Sequence, residues 1–192
     1  MNQSGPTLAQ ANAFNFDAMK YGAELTRAMT WLGEKPDTIF LGQAVAYPGT
    51  AMTTTLMGVP KEKLLELPVF ENTQMGMSTG LALAGFVPIT IYPRWPFLLD
   101  ATGQLVNHLD KLPLISAYRP KVIIRVGVPS RTPLDPQPQH LGNYSDPFRQ
   151  MLKTVEVIEL LGAHQVFDAY RKAYEREDGR STLIVEHTAR YA

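Results

Sequence analysis

Glu71 is the first residue of the sequence whose type and position point to chemistry. It follows the apolar segment 68–70, which we predict to be a strand, and it precedes a helix predicted over 72–85. Because burial disfavours the charged form of a carboxyl group, a buried Glu71 could both donate and accept a proton. The alternative is a carboxylate that only satisfies free N–H groups at the helix start, and the local pattern alone favours that alternative.

An aromatic run, residues 92–97, forms the second group. Tyr92, Trp95 and Phe97 follow another predicted strand, and Arg94 lies among them. Three rings at the end of a strand could stack on a flat ligand while the guanidinium pairs with an anion. Ordinary core packing explains the same run, and the pattern by itself favours that explanation.

His140 is the third candidate. It lies in a long proline-rich loop predicted over 129–147, and loops of this length are often functional. A loop histidine can act as an acid, a base or a hydrogen-bond donor near neutral pH. The alternative is a histidine that is simply solvated at the surface.

Composition excludes several other chemistries. The chain has no Cys, which excludes disulfides, cysteine zinc sites and a cysteine nucleophile. Its 18 Lys and Arg balance its 18 Asp and Glu, which argues against a general binder of nucleic acids or anionic membranes. Phosphate-binding and dinucleotide-binding glycine motifs and a serine nucleophile elbow are missing from the sequence. Charged residues are 19% of the chain, a weak indication that a partner covers part of the surface.

Alternating strands and helices must position these candidates. We predict helices over 16–32, 72–85, 98–117 and 163–176, and strands at 38–41, 68–70, 87–92, 122–128, 155–160 and 182–186. This alternation predicts an α/β fold, a doubly wound and mainly parallel sheet with helices on both faces. Ligands of such sheets bind at the carboxyl ends of the strands, where the three candidates fall.

The sequence also leads to an expectation for the domain boundaries and for the cellular compartment. We expect residues 1–14 to be a loose arm and residues 15–192 to form a single domain. The first residues lack the basic start and apolar core of a signal peptide, and no apolar run is long enough to span a membrane. A cytoplasmic protein is therefore expected.

Taken in order, these segments resemble the pyrimidine-binding domain of thiamine diphosphate-dependent enzymes. The resemblance runs from about Phe16 to the C-terminus. It is closest to the beta subunit of the first component of 2-oxo acid dehydrogenases, and transketolase is further off. Four stretches carry it: Leu41-Gly42 with Val45-Ala46 (family L-G-E-x-V-A), 68–71 with Gly76, Gly80 and Gly85 (family P-I-x-E and a glycine-rich helix), 104–107 (family D-Q-[IV]-[IV]-N) and Gln139-His140 (family Q-H).

The resemblance implies roles for the candidate residues. Glu71 matches the cofactor-activating glutamate, which hydrogen-bonds a ring nitrogen of the aminopyrimidine. Phe97 stands where the family places an aromatic ring against the pyrimidine, with Trp95 and Tyr92 as second choices. His140 would face the substrate, and Gln43 would contact the cofactor although the family has an acidic residue there. The implied reaction cleaves a 2-oxo acid or a ketose and transfers the acyl or ketol unit.

The resemblance also implies a partner. In this family Mg²⁺ and the diphosphate of the cofactor are held by a separate domain with a G-D-G motif and a later asparagine, and this sequence has no G-D-G. We therefore expect a partner chain with that motif, in a heterotetramer of two copies of each chain with the cofactor at the interface.

Two alternatives remain open at the level of the sequence. One is a non-catalytic assembly or regulatory subunit of the same fold, since Gln43 and Thr73 depart from the family pattern. The other is an unrelated α/β domain that binds a different ligand.

Overall fold

A parallel sheet forms the centre of the molecule. The computed structural model describes residues 8–47, 50–131 and 135–191, and in the first helix it describes side chains from Lys20 onward. The strands are β1 (Thr38–Gly42), β2 (Leu64–Glu66), β3 (Val87–Tyr92), β4 (Ile123–Val128), β5 (Glu156–Leu160) and β6 (Thr182–His187). Every neighbouring pair is parallel in the order β2-β1-β3-β4-β6-β5. The predicted α/β doubly wound fold is therefore confirmed.

Helices cover both faces of this sheet. They are α1 (Leu8–Gly33), α2 (Ala51–Thr54), α3 (Glu71–Leu83), α4 (Trp95–Asp100), α5 (Thr102–Gln104), α6 (Leu112–Ile115), α7 (Ser145–Met151) and α8 (Ala163–Glu175). Helices α1 and α8 pack together on one face, whereas α3, α4 and α5 lie on the other. No helix in the described ranges has the length and apolarity that crossing a membrane requires.

Each face of the sheet buries its own core. Alternate residues of β4 illustrate the arrangement, because Ile123 packs under α1 and α8 while Ile124 packs under the helices of the other face. A strand buried on both sides has to be apolar nearly throughout, and the apolar run 122–128 therefore predicts a strand from the sequence alone. Each fully buried side chain of this size stabilises the fold by roughly 1.5–3 kcal/mol.

The second strand was predicted in the wrong place. The strand is Leu64–Glu66, paired with β1 so that Leu64 lies opposite Phe40, while residues 68–70 form a loop. Pro68 has no N–H to contribute to a sheet, so the chain leaves the sheet after the Leu67 N–H bonds the Gly42 carbonyl at 2.9 Å. Val69 is consequently 73% exposed.

The prediction of one helix over 98–117 was also wrong, because this segment forms several short helical pieces. Helices α4 and α5 are followed by a π-helical turn, Leu105–Leu109, and then by α6. The Asp110 N–H bonds the Leu105 carbonyl at 2.9 Å, five residues back, as π-helical geometry requires. A periodic row of leucines predicts a continuous helix and carries no signal for such a turn.

Three further helical segments differ from the sequence-based expectation. Helix α1 begins at Leu8, so residues 8–14 of the expected arm are helical, while residues 1–7 lie outside the described part of the chain. The side chains of Phe16 and Met19 also lie outside it. Helix α2 lies where no helix or strand was predicted, α7 begins within the predicted loop 129–147 and extends beyond it, and both helices are short.

Candidate functional site

The topology of the sheet selects one edge for a ligand site. From β1 the chain moves outward to β2, whereas from β3 it moves in the opposite direction to β4. The order of the strands therefore reverses between β1 and β3, and a crevice at the carboxyl ends of such strands is the usual ligand site of open α/β sheets. Gln43 follows β1, Phe97 follows β3 on α4, and Glu71 begins α3, so these predicted residues share this edge.

Glu71 is held tightly at the start of α3. It is the first residue of the helix and is only 6% exposed. Its carboxylate accepts a hydrogen bond from the Gln43 side-chain amide at 2.8 Å, and its carbonyl accepts one from the Tyr92 hydroxyl at 3.2 Å. The positive end of the helix dipole also favours a carboxylate there. Glu71 is therefore both the first residue of a helix and a buried carboxylate.

The buried side of α3 explains why Glu71 is so close to β1 and β3. The Gln74 amide donates to the Thr90 hydroxyl at 2.9 Å and to the Ile91 carbonyl at 3.0 Å. Gly42 has a φ of 150°, and a Cβ there would lie 2.4 Å from the Ile91 carbonyl oxygen. Only glycine fits this close approach of β1 to its parallel neighbour β3, and this accounts for the glycine in the Leu41-Gly42 motif.

The turn that carries Gln43 is built around Glu66, the last residue of β2. One carboxylate oxygen of Glu66 accepts the Ala44 N–H at 2.7 Å, and the other accepts the Val45 and Ala46 N–H groups, each at 2.8 Å. Ala44 has a φ of 52°, a conformation that costs energy for a residue with a Cβ. Sequence reasoning missed Glu66, because the strand it ends was predicted in the wrong place.

Tyr92 and Trp95 belong to the core. Both are fully buried, and Trp95 packs against Phe148 with ring centroids 5.0 Å apart. Burial raises the pKa of the Tyr92 phenol, so this group stays protonated and donates to the Glu71 carbonyl. Trp95 also packs against Tyr144, with ring centroids 6.0 Å apart. The packing interpretation of the aromatic run therefore describes these two residues.

Phe97 and His140 lie together at the surface of this edge. Phe97 is partly buried, and its ring centroid lies 5.8 Å from that of His140 at an interplanar angle of 37°. His140 ends a 3-10 turn, Pro138–His140, that packs on α4. The Nδ1 atom of His140 is buried and has no hydrogen-bond partner among the described residues. A buried polar atom without a partner is destabilising, so this nitrogen is a strained feature of the 3-10 turn.

Glu159 on β5 anchors the segment that follows His140. Its carboxylate accepts from the Asn143 amide at 2.7 Å and lies 2.9 Å from the His187 ring nitrogen. The Asn143 side-chain oxygen in turn accepts from the Ser145 hydroxyl at 2.6 Å at the start of α7. Burial opposes ionisation of Glu159, but the hydrogen bonds from Asn143 and His187 outweigh it and lower its pKa.

Arg94 occupies the position immediately before α4. It is half-buried, and its carbonyl accepts the Phe97 N–H at 3.2 Å. In the described ranges no cluster of three or more histidine, aspartate or glutamate side chains is arranged to hold a metal ion.

Comparison with known proteins gives matches among solved structures. The sequence matches no protein-family model, and no curated protein is similar enough to count as a relative. A split-gene transketolase, described as an inactive beta4 tetramer, matches with a TM-score of 0.67 and 20% identity over 86% of this chain. Transketolase from Campylobacter jejuni subsp. jejuni NCTC 11168 matches with a TM-score of 0.70 and 13% identity over 88% of this chain.

The chain corresponds to part of each of these structures. It spans 50% of the split-gene transketolase and 25% of the Campylobacter jejuni transketolase. At these identities the likeness concerns the fold, and the parallel sheet and the helices on its two faces are what is shared. The chain thus has a transketolase-like fold, as the resemblance of its motifs predicted.

Proposed function

We propose that this chain is the pyrimidine-binding subunit of a split thiamine diphosphate-dependent enzyme that cleaves a 2-oxo acid or a ketose and transfers the acyl or ketol unit. The observation that carries the proposal is the buried Glu71 carboxylate at the edge where the strand order reverses. The transketolase-like fold supports it. We also propose that the enzyme is cytoplasmic.

The residues at this edge fit the pyrimidine half of the cofactor. An aminopyrimidine is flat and has ring nitrogens, so it needs a hydrogen-bond acceptor for a protonated nitrogen and an apolar ring against its face. Glu71 offers the acceptor and Phe97 the ring, while the unpartnered His140 Nδ1 offers a further polar contact. When bound, thiamine diphosphate supplies the electron sink for carbon–carbon cleavage.

Each side chain has one task in this proposal. Glu71 holds a proton at the pyrimidine nitrogen, and Gln43 orients its carboxylate. Phe97 keeps the ring in plane and excludes water from one face. His140 donates a hydrogen bond or a proton to an oxygen of the substrate. Tyr92 fixes the start of α3 through the Glu71 carbonyl and does not touch the ligand.

A partner chain completes the proposed site. It would hold Mg²⁺ and the diphosphate with a G-D-G motif and a later asparagine, in a heterotetramer of two copies of each chain. The likeness of this chain to a split-gene transketolase supports an arrangement in which the catalytic unit is divided between polypeptides.

Calorimetric titration of thiamine diphosphate with Mg²⁺ tests this proposal. The titration is run on this chain alone and then on its complex with a candidate partner that carries G-D-G. We expect tight binding only in the complex. Absence of binding in a verified complex would contradict the proposal and favour the non-catalytic assembly role.

The Glu71→Gln variant tests whether the chain is catalytic. We expect turnover of the complex to fall by about 10²–10⁴-fold, because the amide cannot hold the proton, while the complex still assembles. Glu177→Gln makes the same chemical change at an exposed position and serves as the control. Normal turnover of Glu71→Gln would assign the chemistry elsewhere.

A further inference from the structure

The turn at residues 43–46 is shaped by a carboxylate from another strand. Three consecutive N–H groups, those of Ala44, Val45 and Ala46, converge on Glu66 at 2.7–2.8 Å. Consecutive N–H groups around a residue of positive φ form a concave site for an anion. Here the anion is supplied by the protein itself, and it holds Ala44 at a φ of 52°.

Gln43 is the first residue of this turn, and it reaches the proposed site. Its side-chain amide donates to the Glu71 carboxylate at 2.8 Å, so the backbone conformation of the turn decides whether this bond forms. The Thr53 hydroxyl supports the same turn by donating to the Ala44 carbonyl. A chain of contacts therefore runs from Glu66 through the turn to Gln43 and Glu71.

We propose that Glu66 and Gln43 are positioning residues for Glu71. Glu66 fixes the turn, and the Gln43 amide then holds one carboxylate oxygen of Glu71 so that the other is directed to the ligand. An acidic side chain in place of Gln43 would set a like charge against Glu71, whereas the amide contributes a donor without charge. The inference rests on the proposed function of Glu71.

A merely structural role of Glu66 makes different predictions. If Glu66 only stabilised the fold, its loss would lower the melting temperature and leave both the Gln43–Glu71 bond and ligand affinity unchanged below the melting range. The decisive readout is therefore the Gln43 side-chain amide, whose NMR signal reports the hydrogen bond to Glu71 in the full chain without any ligand.

The first experiment compares ¹⁵N-labelled wild type, Glu66→Gln and Glu62→Gln. We expect the Gln43 amide protons to be shifted to low field and protected from exchange in the wild type, and to lose both features in Glu66→Gln. Glu62 makes a matched control, because it is exposed and lies four residues away on the same segment. An unchanged Gln43 signal in Glu66→Gln would overturn the proposal.

The second experiment measures the affinity of the complex for thiamine diphosphate with Mg²⁺. We expect Glu66→Gln and Gln43→Leu each to raise Kd about tenfold, a loss typical of contacts that orient a ligand-binding side chain. Because both variants break the same chain of contacts, the double variant should lose little more than either alone. Gln43→Leu keeps the Glu66 turn intact, so it remains decisive if Glu66→Gln fails to fold. Unchanged affinity of Gln43→Leu contradicts the proposal.

Failure of the proposed function gives a different result. In that case the wild-type complex binds no thiamine diphosphate, whereas the NMR comparison still decides whether Glu66 positions Gln43 against Glu71.

Discussion

At the scale of single residues, the contact between His140 and Gln139 leads to a testable tautomer of the His140 ring. Its Nε2 atom lies 3.2 Å from the Gln139 side-chain nitrogen, and an amide nitrogen can only donate. If the amide nitrogen of Gln139 is the donor, Nε2 accepts and the proton of the neutral ring lies on Nδ1, a buried atom with no partner among the described residues. The Phe97 ring lies beside His140, with ring centroids 5.8 Å apart.

The tautomer of His140 can be measured and reversed. We expect ¹⁵N NMR of the neutral ring to show the Nδ1–H tautomer. Gln139→Glu replaces the donor by an acceptor, so it should move the proton to Nε2 and lower kcat of the complex about 10- to 100-fold at unchanged assembly. The same tautomer in the wild type and in Gln139→Glu would contradict this assignment.

Residue roles were predictable to the extent that they depend on local sequence. Glu71 could be placed at a helix start, since the apolar segment before it and the small residues after it are consecutive in the chain. Glu66 could not be found, because it binds backbone N–H groups about twenty residues away and no sequence pattern marks such a bond. The roles of Tyr92 and Trp95 could not be decided from the sequence, because the same aromatic residue types pack in a core and against a ligand.

At the scale of secondary-structure elements, Asp110 links the helical layer to the sheet. Its buried carboxylate accepts the N–H groups of Lys153 at 2.9 Å, Thr154 at 2.7 Å and Val155 at 3.0 Å, just before β5. The Lys111 ammonium lies 3.0 Å from the same group. This contact fixes the chain between the π-helical turn and α6, where the predicted helix 98–117 is interrupted.

Asp110 should make stability depend on pH. Burial opposes its ionisation, but the hydrogen bonds from Val155, Thr154 and Lys111 outweigh that effect and lower its pKa below the ordinary 3.8. The stabilisation is therefore complete above the unfolded-state pKa and is lost as pH falls through the folded-state value. Asp110→Asn should lower the free energy of unfolding by about 1–3 kcal/mol at pH 7, and by less near pH 3.

Urea denaturation at the two pH values measures this effect. The exposed Asp100 provides the control, and we expect Asp100→Asn to change stability by no more than about 0.5 kcal/mol. An equal loss for Asp110→Asn at pH 7 and at pH 3 would mean that the carboxylate charge plays no part.

At the scale of the whole molecule, alternation of strands and helices was enough to predict the fold class. It placed five of the six strands and put the three candidate segments at the carboxyl edge. It did not predict the strand order, because order is decided by side-chain packing across the sheet. Arg125 illustrates this limit, since a charged residue within an apolar strand gives no sign of its partner.

A buried ion pair connects distant parts of the chain next to the core under α1 and α8. The Arg125 guanidinium on β4 donates to Glu186 on β6 at 2.7 Å from Nε and at 2.9 Å from Nη2, and both side chains are fully buried. Nη2 also donates to the Thr55 hydroxyl at 3.1 Å, after α2. Tyr170 on α8 and Tyr191 near the C-terminus donate to the Glu186 carboxylate. Burial opposes the charge of Arg125, but Glu186 outweighs it and raises its pKa.

Removing both members of this pair should destabilise the fold by less than the sum of the two single losses. Glu186→Gln leaves the Arg125 charge buried without a counter-charge, and Arg125→Met leaves Glu186 in the same position, so we expect each to lower the free energy of unfolding by about 3–5 kcal/mol. The combined variant Arg125→Met with Glu186→Gln removes both charges, and because an apolar side chain then faces a neutral amide it should lose less than the sum of the two. Urea denaturation of the four proteins gives the coupling energy directly.

Because the pair joins β4, β6, α2, α8 and the C-terminal segment, the loss should appear as one cooperative transition at lower urea. Additive losses would mean that the two charges stabilise the fold independently, and a separate early transition would mean that α8 and the C-terminal segment unfold without the sheet.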